Sequence, residues 1–441
     1  MYSAYTRKHR EPPEKVNGYV VEIKEGWKTV CIHGSPYDRG FAHGFLLHEE
    51  LARTLKSYPF LIEEKVKYKM KDYIAYSNKH IKPVLIKHFP EIYEEMEGIV
   101  AGANAQNVPI TLDFLIAWNS HMSIVSKYIK SAPGRCSAFI ATGSATEDGK
   151  IVMGHTTHTD FITGQLLNIV MYVIPHKGVP FIMQTSAGYV ASVADWFVCS
   201  SGIIGCETTI WGTNYEPQFG YPFFCRIRTA MQYATTLDEY AEIMQKNNAG
   251  DYACSWLFGD IHKNEIMLCE IGLNRANVEK TGNGIFYGMN STLDFNLRTF
   301  ETVDDKWNDI AASTGSRGVR LNQLLYGEYF GRINVENAKK VLSDHYNPLT
   351  KKEERNHRAV CVHAEFDGGL KRNSYAMRGC TDCKVITADM AKDMAFYARF
   401  GAACGRTFSV KNHVKKHPKY KKWGAHVRDF KKYKWTKISF T

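Results

Sequence analysis

Two short apolar runs joined by an Asp-Gly turn constrain this chain more than any other feature. Ser137-Ala138-Phe139-Ile140 leads through Thr146-Glu147-Asp148-Gly149-Lys150 into Ile151-Val152-Met153-Gly154. Asp-Gly between apolar runs is the strongest short-range hairpin signal, because Gly supplies the positive φ such a turn needs. Cys136 stands just before the first run and just after a loop marked by Ala132-Pro133-Gly134-Arg135. A cysteine there is placed to become a new N-terminus. Its own α-amine, titrating near ~8, would then take the thiol proton at neutral pH. The plainer reading is an ordinary buried thiol, since the chain has 11 cysteines and free Cys packs as a small hydrophobe.

The pattern around the hairpin divides the chain. Residues 46–130 read as mostly helical, with Ile92, Met96, Ile99 and Val100 on one helix face. Thr111 is a good N-cap for a helix over Leu112 to Ser120. From 136 to about 213 the runs turn β-rich: Ser137–Thr142, Lys150–Thr156, Leu166–Ile174, Phe181–Thr185 and Val198–Ile210. A helix pair follows around Phe223–Lys246, where Thr236-Leu237-Asp238-Glu239 forms a capping box. Strands resume at Ser255–Asp260 and Ile266–Ile271. Helices, a strand block, helices and strands again fit a layered α+β fold. Three parts are expected: a mostly helical segment 1–135, a core 136–410 and a tail 411–441.

At 441 residues and 44% hydrophobic the chain can bury a large core. No apolar run approaches the ~18 residues needed to span a bilayer. Met1-Tyr2-Ser3-Ala4-Tyr5-Thr6-Arg7-Lys8 lacks the apolar core of a signal peptide. The cysteine count is odd, and the one glycosylation sequon is Asn290-Ser291-Thr292. Together these lead to the expectation of reduced thiols in the cytoplasm. The net charge of +11 is concentrated in residues 411–441, which hold ten Lys and Arg428 against Asp429 alone. Tyr420, Trp423, Phe430, Tyr433, Trp435 and Phe440 are interleaved with that charge. Basic residues at aromatic spacing suit an anionic membrane surface or nucleic acid; a solvated extension is the alternative.

Further segments extend the argument from Cys136. Gly34-Ser35-Pro36-Tyr37-Asp38-Arg39-Gly40-Phe41-Ala42-His43-Gly44 is glycine-spaced, and Glu94-Glu95-Met96-Glu97-Gly98-Ile99 lies on the helix that follows. Then come Gly154-His155-Thr156-Thr157-His158-Thr159-Asp160, Ser201 to Thr209 ending in Glu207-Thr208-Thr209, Gly288-Met289-Asn290, and Gly379-Cys380-Thr381-Asp382-Cys383-Lys384-Val385. In this order the segments resemble the self-processing, cysteine-type N-terminal nucleophile hydrolases, specifically the phospholipase B-like proteins and the related penicillin acyltransferase group. The resemblance covers roughly residues 30 to 410 and ends before the tail. It implies a four-layer αββα sandwich and an acyl hydrolase or amidase whose nucleophile, Cys136, is exposed by cleavage of the Arg135–Cys136 bond.

The resemblance also assigns roles. Asn290 would donate its side-chain amide to the oxyanion of a tetrahedral intermediate, a contribution of roughly 3–4 kcal/mol; the bland role for that residue is turn chemistry. His155 would sit beside the nucleophile on the second hairpin arm. His158 departs from the pattern, which has Trp in the phospholipase B-like proteins and Asp in the acyltransferases. Thr208 and Thr209 end a strand that would face the site, Thr209 as a catalytic hydroxyl and Thr208 towards substrate, although β-branched pairs are also ordinary strand residues. Arg317 and Arg320 in Ser316-Arg317-Gly318-Val319-Arg320 resemble the region where an arginine orients the acyltransferase site, with Arg317 towards substrate, although either could equally be a surface helix residue. No cofactor or metal is expected. Cys380-x-x-Cys383 with His413 and His417 mimics a zinc module, but its 29-residue gap is too long. The substrate class is an acyl-bearing small molecule or phospholipid. The competing expectation is a catalytically degenerate member that binds through its basic tail.

Overall fold

The computed structural model describes residues 13–128, 136–193 and 195–440. The expected hairpin forms. Ser137–Thr142 pairs antiparallel with Val152–Asp160, with Ala138 opposite His155 and Ala141 opposite Val152. The connection starts with a 3-10 turn at Gly143–Ala145; Gly149 takes φ +75°, and Asp148 Oδ1 accepts from the Lys150 N–H at 3.0 Å. The hairpin lies inside a six-stranded antiparallel sheet of order Gly284–Gly288, Ser137–Thr142, Val152–Asp160, Arg378–Thr387, Ala395–Phe400, Thr436–Ser439.

Strand alternation sends the two faces of this sheet into different cores. Ala138 and Ile140 enter the main core, while Phe139 and Ala141 pack with Leu321, Val341 and Leu342 of helices Ser313–Asn322 and Val335–Leu342. Across the main core lies a nine-stranded sheet: Gly18–Lys24, Trp27–Gly34, Ile169–Pro175, Phe181–Thr185, Trp196–Cys199, Ile203–Thr209, Cys254–Asp260, Glu265–Ile271, Ala276–Thr281. Only Trp27–Gly34 and Ile169–Pro175 run parallel. Gly259 marks where the sheets meet: a Cβ there would lie 3.0 Å from Ile140 Cδ1 and 3.3 Å from Ile151 Cδ1. Its neighbour Phe258 turns the other way, onto Tyr240 of helix Leu237–Gln245. The fold is a mixed α/β one.

Local signals hold where a single side chain decides them. Thr111 caps helix Leu112–Asn119, and the Thr236/Glu239 capping box forms with both reciprocal bonds. Two expected strands differ. Asp160 accepts the Thr163 N–H at 2.8 Å and caps a short helix, Phe161–Leu166, so the strand placed at Leu166 begins at Ile169. The run Val198–Ile210 is two strands, because Gly202 at φ +87° turns the chain back on itself.

The N-terminal segment supplies two strands of the large sheet and a closely packed helix pair. Helix Pro36–Leu46 lies on helix Pro90–Ala105 through Gly40, Gly44, Gly98 and Gly102. A Cβ on Gly44 would sit 2.0 Å from the Ile99 carbonyl oxygen, and one on Gly98 would sit 2.2 Å from that of Tyr37. The glycine spacing therefore records backbone-to-backbone contact. Glu95 is buried beside it, accepting from Arg39 Nε at 2.7 Å and from Arg228 Nη1 and Nη2 at 3.0 and 2.8 Å. Burial alone would push this carboxyl up; Arg228 and Arg39 overcome it and hold Glu95 at about 2.

Residues 411–441 pack onto the body. Thr436–Ser439 is the edge strand of the small sheet, Phe430 and Ile438 are buried, and Trp423 and His426 contact Phe60. All ten Lys of the segment stay exposed. The aromatics that interleave with the charge thus turn into the fold. No helix among the described residues is long and apolar enough to cross a membrane.

Gly44→Ala should destabilise the protein by about 3 kcal/mol, the upper range for overpacking, since carbonyl backbone cannot give way as a side chain can. This outweighs the helix propensity gained, about 1 kcal/mol. Urea denaturation measures it; a loss under about 0.5 kcal/mol would mean that the helix pair opens at little cost.

Candidate active site

Cys136 directly precedes its strand, and by alternation its side chain shares the inward face with Ala138. It is 6% exposed. Burial pushes the thiol up to about 12, aided by the Glu207 charge; the His158 backbone N–H and Lys384 pull the other way. In the intact chain the sulfur is therefore a protonated thiol at neutral pH. Arg135 and the loop before it lie outside the described residues.

Arg317 grips the same residue from the outer face of the sheet. Its Nη1 donates to the Cys136 carbonyl at 2.5 Å and to Ser137 Oγ at 3.1 Å; Nη2 donates to the Met289 carbonyl at 2.8 Å and to Asn290 Oδ1 at 2.9 Å. Nε is held by the Ser313 carbonyl at 3.2 Å. Asn290 follows the edge strand Gly284–Gly288 at φ +74°, a left-handed conformation that Asn tolerates better than most residues. Its Nδ2 donates to the Thr209 carbonyl at 2.9 Å. Cys136, Asn290, Arg317 and Thr209 are thus joined through backbone and side chain.

The two threonines separate. Thr208 faces the small sheet, where a Cβ on Gly288 would lie 2.3 Å from its hydroxyl, and that buried hydroxyl has no hydrogen-bond partner among the described residues. Thr209 turns to the opposite face and bonds the Tyr252 hydroxyl at 2.5 Å. The inward-facing hydroxyl is therefore that of Thr208.

His155 projects between the sheets, opposite Ala138 and Lys384. Burial and then Lys384 lower its basicity well below the ordinary histidine value. Its Nε2 lies 2.9 Å from the Glu207 carbonyl, which can only accept, so Nε2 carries the proton and Nδ1 is a buried lone pair without a partner. His155 is bonded to Glu207 rather than to Cys136. The His158 ring bonds Thr156 Oγ1 at 2.8 Å, and that hydroxyl receives the Ser137 N–H at 3.2 Å. His158 therefore braces the strand behind Cys136 through its ring as well as meeting the sulfur through its backbone.

The structure adds groups that sequence reading did not assign. Lys384 Nζ bonds Asp382 Oδ1 at 2.5 Å and Thr157 Oγ1 at 3.0 Å, with both charged side chains fully buried. Opposite charges at i and i+2, on one face of a strand, were the available signal. Glu207 accepts from Tyr252 at 2.7 Å, and its carboxyl meets that of Asp195, itself at φ +55°. Two facing carboxyls are both acceptors, so they must share a proton. Burial pushes both up, and the Glu207 charge raises Asp195 further. Nothing periodic in the sequence marks Asp195.

No protein-family model matches the chain. A curated protein of Archaeoglobus fulgidus, described as an uncharacterized protein, is 22% identical over 256 residues, which is 55% of this chain and 42% of that protein's length. Two solved variants of the conjugated bile acid hydrolase from Clostridium perfringens align over 60% and 62% of this chain and 89% and 83% of theirs. Their TM-scores are 0.32 and 0.29, with 9% and 10% identity. Likeness that loose carries no argument, and the chemistry rests on the site.

The carboxyl pair makes stability fall with rising pH. A buried carboxyl raised above its ordinary 4.5 holds a proton in the fold that the unfolded chain has released. Its stabilisation is full below about 4.5 and is lost as pH climbs, by up to about 1.4 kcal/mol per pH unit for one proton. Glu207→Gln puts an amide donor against Asp195, so thermal melts from about pH 5 to 7 should decline less steeply for the variant than for wild type. Parallel curves would remove the shared proton.

Proposed function

We propose that this chain is an acyl hydrolase of the N-terminal nucleophile type, a four-layer αββα sandwich that exposes Cys136 by cutting itself before that residue. The reading rests on one observation: Arg317 holds the carbonyl of Cys136 itself and, with the same guanidinium, the amide of Asn290. A guanidinium in that position fixes the backbone of a nucleophile that is about to lose its upstream tether.

The chemistry follows from the groups present. Cys136 Sγ attacks the Arg135 carbonyl carbon, the Cys136 nitrogen takes the thiol proton and leaves, and a thioester forms. Water hydrolyses it to an Arg135 carboxylate and a free Cys136 with a thiol and an α-amine. That amine, near ~8, is the base that the intact site lacks, because burial and Lys384 hold the basicity of His155 far below the ordinary histidine value. In turnover the sulfur takes the acyl group of an amide or ester, the ammonium protonates the departing nitrogen or oxygen, and water releases the acid. Asn290 Nδ2, one of whose two N–H groups goes to the Thr209 carbonyl, and the inward Thr208 hydroxyl are the donors we assign to the oxyanion. A small acyl amide, an ester or a phospholipid all meet this requirement.

Intact-mass spectrometry tests the activation. Wild type should resolve into two chains split before Cys136, and Cys136→Ala should remain one. If wild type stays whole through long incubation at mildly acidic and neutral pH, self-activation fails, and the protonated thiol becomes the mark of a silent member acting as a binding protein.

Asn290→Ala should lower kcat on small chromogenic acyl amides by about 10²–10³ with little change in KM, because the oxyanion exists only in the transition state. Placing Ala at positive φ also costs about 1–2 kcal/mol of stability, which a thermal melt reads separately. Unchanged turnover would leave Asn290 as a turn residue.

A further inference from the structure

The second core ends in four side chains that have no part in the acyl chemistry. His345, Cys361, His363 and Cys404 each direct one ligand atom to a common point, and the four atoms lie within 4.8 Å of one another. His363 Nε2 is 3.5 Å from Cys361 Sγ and 3.4 Å from Cys404 Sγ. Tetrahedral zinc, with Zn–S near 2.3 Å and Zn–N near 2.0–2.1 Å, sets sulfur and nitrogen about 3.6 Å apart. A single ring nitrogen cannot satisfy two thiols at once, but two thiolates and two imidazoles can share one cation.

Two further observations point to a ligand. His363 turns its other nitrogen, Nδ1, to Glu365 Oε1 at 2.7 Å, the carboxylate–histidine arrangement that orients an imidazole on a metal. His345 Nε2 is buried with no hydrogen-bond partner among the described residues. The loops bearing the ligands are already tied together: the Cys361 N–H donates to the Asp344 carbonyl at 3.0 Å, and Ser343 Oγ donates to the Ala403 carbonyl at 3.0 Å.

We propose that these four residues bind one zinc ion as a closed structural site. Four protein ligands leave no open position for substrate, and two thiolates with two imidazoles suit zinc above hard cations. Binding releases the two thiol protons to solvent. The ion would fasten a stretch poor in regular structure, from Ser343 to Arg378, against the end of strand Ala395–Phe400. That stretch reaches the catalytic side: the His357 carbonyl accepts from Ser313 Oγ at 2.6 Å, and Ser313 holds Arg317. The zinc module suggested by Cys380, Cys383, His413 and His417 does not assemble. Cys383 Sγ lies against the Arg399 carbonyl, and His413 Nε2 against that of Tyr375.

The test uses the full chain, expressed with zinc, desalted and analysed by inductively coupled plasma mass spectrometry; about one zinc per chain is expected. Exchange for cobalt(II) should give thiolate charge-transfer bands in the near ultraviolet and the strong visible bands of a tetrahedral ion. Cys404→Ser should lower the charge-transfer intensity per cobalt to about half, since one of two thiolates is lost. Cys31→Ser, far from the cluster in sequence, should change neither. Wild-type protein that takes up neither zinc nor cobalt under reducing conditions overturns the proposal, as does recovery of Cys361 and Cys404 as a disulfide in protein purified without reductant. If Cys404→Ser does not fold, the wild-type cobalt spectrum still decides. Because every readout is metal content or spectrum, the result is independent of whether Cys136 is ever unmasked.

Discussion

The guanidinium of Arg317 is the interaction on which the candidate site depends. Its donors reach Cys136, Ser137, Met289, Asn290 and Ser313. These residues come from the start of one central strand, the end of its edge neighbour and the first turn of a helix. Arg suits this task because its planar fork presents several fixed donors and stays charged when buried. No lysine could hold as many carbonyls in one plane. These acceptors are backbone carbonyls, a hydroxyl and an amide, whose oriented dipoles face the charge, and movement of any one segment would leave buried polar groups without partners.

Around this clamp the two sheets set what is possible. Their inner faces are mainly apolar, and at Gly259 the sheets approach closely enough that an added Cβ would press on the Ile140 and Ile151 side chains. Charged groups between the sheets need partners, as in the Lys384–Asp382–Thr157 set, and the His155 ring gives its N–H to the Glu207 carbonyl. The same burial keeps Cys136 protonated while the chain is intact.

The glycine helices and the Arg39–Glu95–Arg228 set perform a comparable task on the N-terminal side. Close backbone contact brings Glu95 beneath two arginines, one on the preceding helix and one on helix Phe223–Tyr233. A carboxylate shared by two guanidinium groups ties the N-terminal segment to the body across 133 residues of sequence. The basic tail closes an edge of the six-stranded sheet as a strand, with Phe430 buried, its other aromatic residues half-buried and its lysines outward.

What the sequence determined by itself is local. The hairpin at Asp148-Gly149, the caps at Thr111 and Thr236, the glycine spacing and the placement of Cys136 before a strand all depend on neighbours a few residues away, so they are visible in one dimension. The helix at Phe161–Leu166 escaped because one hydrogen bond from Asp160 outweighed an apolar run. Tertiary structure alone decided that Thr208 rather than Thr209 faces inward, that Asp195 meets Glu207, and that His345, Cys361, His363 and Cys404 converge. Those juxtapositions join residues up to 59 positions apart within the cluster, and no periodicity encodes them. They arise because a sheet sets the register of distant strands at once, and a side chain's neighbours are then chosen by packing rather than by sequence distance.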